Sequence, residues 1–320
     1  MPRSADPDHG NDASPAGFSA GGMLLKLILL PGLVVSVIVV AVIWLSRPGG
    51  DVDSLIDKLG REGDDRWLAA LSLSAMLHEP GDTVIKRDPQ VAGRLIEILR
   101  KEVEANGMDR DQLSLRMYLC RALGEFEIAD PLPVLLEAAR LQRDPQEAEV
   151  RCAAIEAVAV LTSHVGATEL RGNPQLLPVL VKAAEDQQQR VRQRAAFALG
   201  VVGGDRAQGC LELMLADRCA EVRYNAATGL ARHGNPKCVG VLREMLDPQG
   251  VDVNRATVQK NALRATGLLA AANPTADLKE LIEAVERLTR ADVAAEVSAQ
   301  AVEVLQQLDR RWGTPDRSRS

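Results

Sequence analysis

The sequence predicts an all-α protein: an α-solenoid of about seven helical hairpins, preceded by one transmembrane helix. Composition favours helices over sheets, because the 320 residues include 44 alanines and only eight aromatic residues. Alanine has the highest helix propensity, whereas sheets favour β-branched and aromatic residues. In addition, related segments recur with a mean spacing of about 38 residues, a period typical of helical repeats.

An apolar run near the N-terminus predicts the transmembrane helix, at residues 23–46. The preceding residues 1–22 are rich in Ser, Gly, Pro and Asp, which is typical of a disordered tail. From Leu27 to Leu45 no residue is charged, and at about 1.5 Å per residue this run spans roughly 28 Å, close to the hydrocarbon core of a bilayer. A cleaved signal peptide and a buried core helix are the alternatives, but the length of the run and the acidic start favour a membrane helix.

The distribution of positive charges predicts the orientation of this helix. Four basic residues follow it within about twenty residues, namely Arg47, Lys58, Arg61 and Arg66. Only Arg3 and Lys26 precede it. Basic residues next to a membrane helix tend to stay in the cytoplasm. The odd number of cysteines, five, also favours a reducing compartment. We therefore expect a single-pass membrane protein with its tail outside and its repeat domain in the cytoplasm.

After a predicted linker at 47–63, the repeat domain is expected at 64–312, followed by a disordered tail at 313–320. Each repeat contains a segment with apolar residues at its first, fifth and ninth positions, which predicts an amphipathic second helix. The seven segments are WLAALSLSAM from 67, LRMYLCRALG from 115, VRCAAIEAVA from 150, VRQRAAFALG from 191, VRYNAATGLA from 222, VQKNALRATG from 258 and VSAQAVEVLQ from 297. One hairpin cannot bury its apolar face alone, so neighbouring hairpins are expected to stack.

The first helices are expected between these segments, for example QLLPVLVKAAED at 175–186. Several open with an acidic or amide residue followed by proline, which supplies an N-cap side chain and a backbone preset for the first turn. These dipeptides are Asp130-Pro131, Asn173-Pro174 and Asn235-Pro236. Gly203-Gly204 is expected to end a second helix.

Two repeats place an aspartate six residues before the arginine of a Val-Arg pair: Asp186 before Arg192, and Asp217 before Arg223. With these motifs the chain resembles the HEAT-repeat family, in particular the short HEAT-like repeats named after phycobilisome lyases. The resemblance covers about residues 64–312 and is strongest in the middle of that range.

The resemblance implies a ladder of Asp–Arg contacts along the solenoid, interrupted where Gln259 and Ser298 replace the arginine. Charged hydrogen bonds of this kind favour a structural role for the arginine row. A row of ligand-binding arginines is the other interpretation. The row consists of Arg116, Arg151, Arg192 and Arg223.

The sequence predicts no catalytic or metal-binding centre, and therefore no cofactor. One His78-Glu79 dipeptide supplies too few ligands for the iron site of some HEAT-like hydroxylases. Neither a nucleophile elbow nor a phosphate-binding loop is present. The side chains that come closest to a zinc set lack the paired spacing of zinc ligands. They are Cys210, Cys219, His233 and Cys238.

Positions three, four and seven of the second helices point away from the apolar stripe and are the candidate protein-binding positions. Tyrosine and arginine are favoured at binding hot spots, although a merely solvated helix face is the alternative. The candidate residues are Tyr118, Arg121, Arg194, Phe197, Tyr224, Asn225 and Arg264.

These features predict a membrane-tethered, non-enzymatic scaffold that binds a protein partner of unknown identity along its concave surface. The resemblance implies one alternative, a lyase- or chaperone-like HEAT subunit that acts on a protein substrate. Nucleic-acid binding is disfavoured because the net charge is −6 and few aromatic residues are available for stacking. No small-molecule substrate is evident.

Overall fold

The computed structural model describes residues 52–61, 63, 65–81, 83–105, 107–248, 254–290 and 293–312. The predicted N-terminal tail, the transmembrane helix at 23–46 and the C-terminal tail lie outside these residues. Among the described residues, no helix is long and apolar enough to cross a membrane. The same residues form α-helices and two short 3₁₀-helices, with no β-strand, which confirms the predicted all-α class.

Sixteen α-helices are present in the described ranges. The first eight are α1 (Val52–Leu59), α2 (Arg66–His78), α3 (Thr83–Lys86), α4 (Pro89–Glu104), α5 (Arg110–Gly124), α6 (Leu132–Ala138), α7 (Ala148–Val165) and α8 (Ala167–Leu170). The others are α9 (Leu176–Ala183), α10 (Gln189–Val202), α11 (Asp205–Met214), α12 (Ala220–Arg232), α13 (Val239–Leu246), α14 (Arg255–Ala272), α15 (Lys279–Arg290) and α16 (Ala295–Trp312).

Fourteen of these helices pair into seven hairpins, and the short helices α3 and α8 lie between hairpins. The hairpins are α1/α2, α4/α5, α6/α7, α9/α10, α11/α12, α13/α14 and α15/α16. Each second helix packs against the second helix of the next hairpin, so that these helices form one continuous layer. All seven repeat segments lie in second helices, which confirms the solenoid and its period.

The first hairpin begins earlier than the sequence predicts. Residues 47–63 are predicted as a linker, yet Val52–Leu59 form α1 and pack against α2. Its apolar residues follow the spacing of one helix face and enter the core. They are Val52, Leu55, Ile56 and Leu59. Two helical turns provide too little periodicity to identify a helix from the sequence alone.

The helix ends follow the predicted signals in part. Asn235 accepts the backbone N–H of Lys237 at 3.1 Å and caps the short 3₁₀-helix that leads into α13. Asn173 accepts the N–H of Gln175 at 2.9 Å, but α9 begins only at Leu176, without a side-chain cap. In the same way, α6 begins after Pro131 without a side-chain cap from Asp130. Gly203 ends α10 with a φ of 66°, in the left-handed region that favours glycine.

Small residues allow the second helices to approach closely. A Cβ atom added to Gly200 of α10 would lie 2.7 Å from the Cα of Gly229 of α12, closer than atoms can pack. The neighbouring alanines at this contact are fully buried, as the repeat register predicts. They are Ala195, Ala196, Ala226 and Ala227.

Candidate functional site

The arginine row lies where successive hairpins meet. Nε and Nη2 of Arg151 donate to the two carboxylate oxygens of Asp186 at 2.9 and 3.1 Å. Arg192 binds Asp217 in the same way, at 2.8 and 3.1 Å. In both pairs the aspartate belongs to the following hairpin. Arg151 also donates to the carbonyl of Leu141, which precedes its own helix, at 2.8 Å. Each arginine therefore joins its own loop to the next hairpin.

This geometry corrects the pairing that the six-residue spacing suggests. Arg192 does not bind the side chain of Asp186; it donates to the backbone carbonyl of that residue at 3.0 Å. Arg223 pairs with Glu244 on α13. In the sixth hairpin Gln259 occupies the arginine position. Its side chain donates to the carbonyl of Leu246, within the same hairpin, at 3.0 Å. The ladder is thus present, but it runs between hairpins.

Arg116 is the fully buried member of the row. Its guanidinium donates to the carbonyls of Glu102, Ala105 and Gly107 at 2.7, 3.1 and 2.8 Å. Among the described residues, no carboxylate lies within ion-pair distance of it. Within the described residues, the buried Nη1 of Arg116 has no hydrogen-bond partner, but the other contacts of the row are internal. Burial and these internal hydrogen bonds support the structural interpretation.

The ladder has a further member that the sequence analysis missed. Nε of Arg66 donates to the carbonyl of Leu59 at 2.9 Å, and Nη1 lies 2.8 Å from a carboxylate oxygen of Glu102. Starting the first repeat segment at Trp67 leaves this arginine outside the motif. A register that starts at Asp65 places Arg66 at the arginine position.

Hydrogen bonds to the arginines shift the acidity of their partners. The guanidinium of Arg192 holds the pKa of Asp217 below its usual value, with a further contribution from the backbone N–H of Cys219. Conversely, the hydrogen bonds that Arg192 donates to Asp217 raise the pKa of Arg192. Both groups are therefore charged at neutral pH.

Positions three, four and seven of the repeat segments that begin at residues 115, 191, 222 and 258, in α5, α10, α12 and α14, form a face that we call the second-helix surface. Six of the seven candidate residues lie on it with partly or largely exposed side chains, and Phe197 is 40% exposed. The half-buried residues are Tyr118, Arg194 and Asn225, and the exposed ones are Arg121, Phe197 and Arg264.

Tyr224 does not belong to this surface, because it is only 8% exposed. Its hydroxyl donates to a carboxylate oxygen of Glu244 at 3.2 Å, and the guanidinium carbon of Arg223 lies 5.9 Å from the centre of its ring. Burial raises the pKa of Tyr224 to about 12. The ring thus packs with the arginine ladder, so the prediction that Tyr224 is available to a partner is wrong.

Ion pairs tie neighbouring second helices together. Arg194 lies 3.7 Å from Glu156, and Lys260 lies 3.0 Å from Glu296. By contrast, within the described part of the chain Arg121 forms no ion pair, and Arg264 has only a 3.5 Å hydrogen bond to Asn261. These two cations remain available to a partner.

An aromatic stack connects the first two hairpins. The rings of Trp67 on α2 and Tyr118 on α5 are 6.5 Å apart and inclined by 23°. The guanidinium carbon of Arg121 lies 5.4 Å from the centre of the Tyr118 ring. Trp67 also borders a cavity of about 430 Å³. Trp67 is not among the predicted site residues, because the repeat register predicted from the sequence places it on the core stripe.

The cysteine and histidine candidates are dispersed. The described residues contain no group of three or more His, Cys, Asp or Glu side chains arranged to hold a metal ion. Nδ1 of His78 lies 2.7 Å from a carboxylate oxygen of Glu125, and this contact raises the pKa of the imidazole. His78 therefore forms an ion pair between hairpins when it is protonated.

Comparisons with known proteins support the repeat fold. Residues 105–199 match the family model described as HEAT repeats. The complex of CpcE and CpcF of phycocyanin lyase from Nostoc sp. PCC7120 has a similar structure, with 21% sequence identity and a TM-score of 0.50. This similarity covers 83% of the present chain and 96% of the other chain.

Two further structures show a weaker likeness, each with a TM-score of 0.49. An engineered protein is 21% identical over 81% of this chain and 68% of its own. Kap121p, in a structure bound to Pho4p, is 17% identical over 80% of this chain and 29% of its own. No curated protein sequence matches the chain significantly. Residues 105–199 therefore match HEAT repeats, and the Nostoc structure shares the helical repeat fold of the chain.

Proposed function

We propose that the protein is a non-enzymatic, membrane-tethered scaffold whose second-helix surface binds another protein. The observation that carries this proposal is the continuous layer of second helices, which exposes Phe197 together with the cations Arg121 and Arg264. Stacked hairpins offer a long surface to a partner. Large aromatic residues and arginines on such a surface are the residues that most often dominate binding energy.

The alternative is a lyase- or chaperone-like subunit that acts on a protein substrate. The similar structure from Nostoc is a complex of two proteins of a phycocyanin lyase. At this sequence identity the likeness concerns the fold alone. In either case the second-helix surface is the proposed contact with another protein, so one experiment tests the surface for both.

Site-specific photocrosslinking tests this surface in living cells. A photoreactive phenylalanine analogue replaces Phe197 on α10, and in a matched control it replaces Leu213 on α11. Both native side chains are exposed, at 40% and 80%, but Leu213 lies on a first helix. We expect a discrete crosslinked protein from position 197 and none from position 213. Crosslinking from position 213 alone would place the partner on the first-helix layer and contradict the proposal.

The membrane tether rests on the uncharged run from Leu27 to Leu45, which is long enough to span a bilayer. Deletion of residues 23–46 should move the protein from the carbonate-resistant membrane fraction to the soluble fraction. If the deleted protein stays with the membrane, the tether lies elsewhere in the chain.

The proposed cytoplasmic location of the repeats is tested by labelling a cysteine placed at Gly50 with a membrane-impermeant maleimide. Cys210 and Cys219 are replaced by serine in this variant. Burial raises the pKa of the Cys120 and Cys238 thiols to about 12 and that of Cys152 to about 11, which makes these three remaining native cysteines unreactive. We expect labelling only after cell lysis, and labelling of intact cells would reverse the orientation.

A further inference from the structure

We propose that Trp67, Tyr118 and the neighbouring acidic residues Asp109 and Asp111 form the anchoring point for a basic side chain of the protein partner. This inference rests on the proposed function, because it specifies the chemistry of the partner at one end of the same layer of second helices. The partner segment would present a lysine or arginine to the cavity between the first two hairpins.

The aromatic part of this anchoring point is fixed before binding. Trp67 and Tyr118 come from successive second helices, and their rings lie 6.5 Å apart. Arg121 lies over the Tyr118 ring, 5.4 Å from its centre. Side chains that are already ordered lose little entropy when a partner binds. Tryptophan, tyrosine and arginine are also the three residues most enriched at binding hot spots.

The charge of the adjoining cavity selects a cation. Asp109 and Asp111 line this cavity together with Trp67. Within the described part of the chain, no lysine or arginine forms an ion pair with either aspartate. Among the described residues, Arg66 is the one cation that lines the cavity, and its guanidinium is bound to Glu102 and to the carbonyl of Leu59. The two exposed carboxylates therefore give the cavity a negative charge that no cation of its own wall neutralises.

The indole ring strengthens the preference for a cation. A lysine or arginine lies favourably against the face of a tryptophan, and its aliphatic stem adds apolar contact. The cavity volume of about 430 Å³ leaves room for one long side chain. An anion could be attracted to the N-terminus of α5, but Asp109 already accepts the N–H of Gln112 there at 2.9 Å. An acidic partner would face two carboxylates.

Peptide binding to the full-length chain tests this assignment. In a variant with Trp44→Phe and Trp312→Phe, Trp67 is the remaining tryptophan and its fluorescence reports on the cavity. The probes are three short peptides of serine and glycine that differ at two positions only. These positions hold lysine in the first peptide, glutamate in the second and glutamine in the third. We expect a saturable change of fluorescence with the lysine peptide and no saturation with the other two. Stronger binding of the glutamate peptide would overturn the proposal.

A matched set of variants separates the cavity from the overall negative charge of the protein. Asp109→Asn with Asp111→Asn keeps the helix cap and should weaken binding of the lysine peptide at least about tenfold. Asp205→Asn removes an acidic residue from the first turn of α11, a first helix, and should leave the affinity unchanged. Equal affinities for the two variants would show unspecific attraction and overturn the proposal.

The two proposals fail in distinguishable ways. In one outcome, position 197 still crosslinks to a partner, but replacing Asp109 and Asp111 does not change peptide binding. That result would support the scaffold proposal and contradict this anchoring point. In the other outcome, position 197 does not crosslink to a partner, but peptide binding still depends on both aspartates. That result would contradict the proposed role of the whole second-helix surface and restrict binding to the first two hairpins.

Discussion

Arg151 and Asp186 are joined by a two-pronged hydrogen bond although 35 residues separate them in the chain. Both side chains are almost completely buried, with 6% and 4% of their surface exposed. The bond links the second helix of the third hairpin to the loop of the fourth. Buried ion pairs of this kind act as fixed points between repeats, because each partner depends on the other for compensation of its charge.

Removal of one partner should therefore destabilise the solenoid strongly. We expect Asp186→Ala to lower the free energy of unfolding by about 3–5 kcal/mol, since it leaves the Arg151 guanidinium buried without its counter-charge. Asp53→Ala is the control, because Asp53 pairs with Arg94 at 2.6 Å on the surface and is 69% exposed. That change should cost less than about 1 kcal/mol. Equal shifts of the urea midpoint would contradict the structural role of the ladder.

Two glycine-to-alanine substitutions should change the free energy of unfolding in opposite directions. At Gly200 the new methyl group would lie 2.7 Å from the backbone of Gly229, so Gly200→Ala should cost about 1–3 kcal/mol of stability through overpacking. At Gly93 in α4 nothing lies within 4 Å of the added atom. Gly93→Ala should stabilise the protein by about 0.5–1 kcal/mol, because alanine suits a helix interior better than glycine does. Thermal unfolding of both variants checks the sign, and a stabilised Gly200→Ala protein would refute the close helix contact.

The pKa of Asp217 predicts a dependence of stability on pH. Because the Arg192 guanidinium holds this pKa below its usual value of 3.8, the charged carboxylate stabilises the folded state above that value. The stabilisation is lost as the pH falls from about 5 towards the lower pKa of the folded state. Asp217→Asn should lower the urea midpoint at neutral pH, and the two proteins should converge in acid. A difference between them that stays constant down to about pH 3 would contradict this account.

The hairpin architecture could be predicted from the sequence, because residues that are buried in the structure occupy the same positions in successive repeat segments. The segments that begin at residues 191 and 222 place their alanines at the same positions, and the structure buries them completely. Small apolar residues at helical spacing therefore identified both the helix type and the contact face. The helix α1 lacked this support, since it has no repeat motif and only eight residues.

The partners of the ladder could not be derived from spacing. A separation of six residues places Asp186 and Arg192 near the same helix start, but the guanidinium reaches across the hairpin interface to Asp217. The burial of Tyr224 also depends on a residue of the next hairpin, Glu244. Such contacts between repeats depend on the relative position of stacked helices, which the local sequence pattern does not encode.

The stacking of Trp67 on Tyr118 was missed for a related reason. The first repeat lacks the Val-Arg pair, so its register was set by the apolar residues alone and shifted by two positions. In that register Trp67 belongs to the core. In the structure Arg66 occupies the ladder position, and Trp67 borders the cavity instead.

The central claim, that the second-helix surface binds a protein, is tested most directly by quantitative capture with two sets of charge reversals. The first set changes cations of the second-helix surface to glutamate: Arg121, Arg194 and Arg264. The control set changes exposed cations of the first helices: Lys101, Lys182 and Arg206. Substitutions of exposed cations alter stability by only about 0.5 kcal/mol each, and the half-buried Arg194 loses a single ion pair, to Glu156 at 3.7 Å, so both sets should fold.

The measurement is the amount of the protein crosslinked at position 197 that each variant captures, relative to the unchanged chain. We expect at least about a tenfold loss with the second-helix set, because cations that contact a partner contribute strongly to binding, and no loss with the control set. Undiminished capture by the second-helix set, together with loss in the control set, would contradict the account and place the working surface on the first helices.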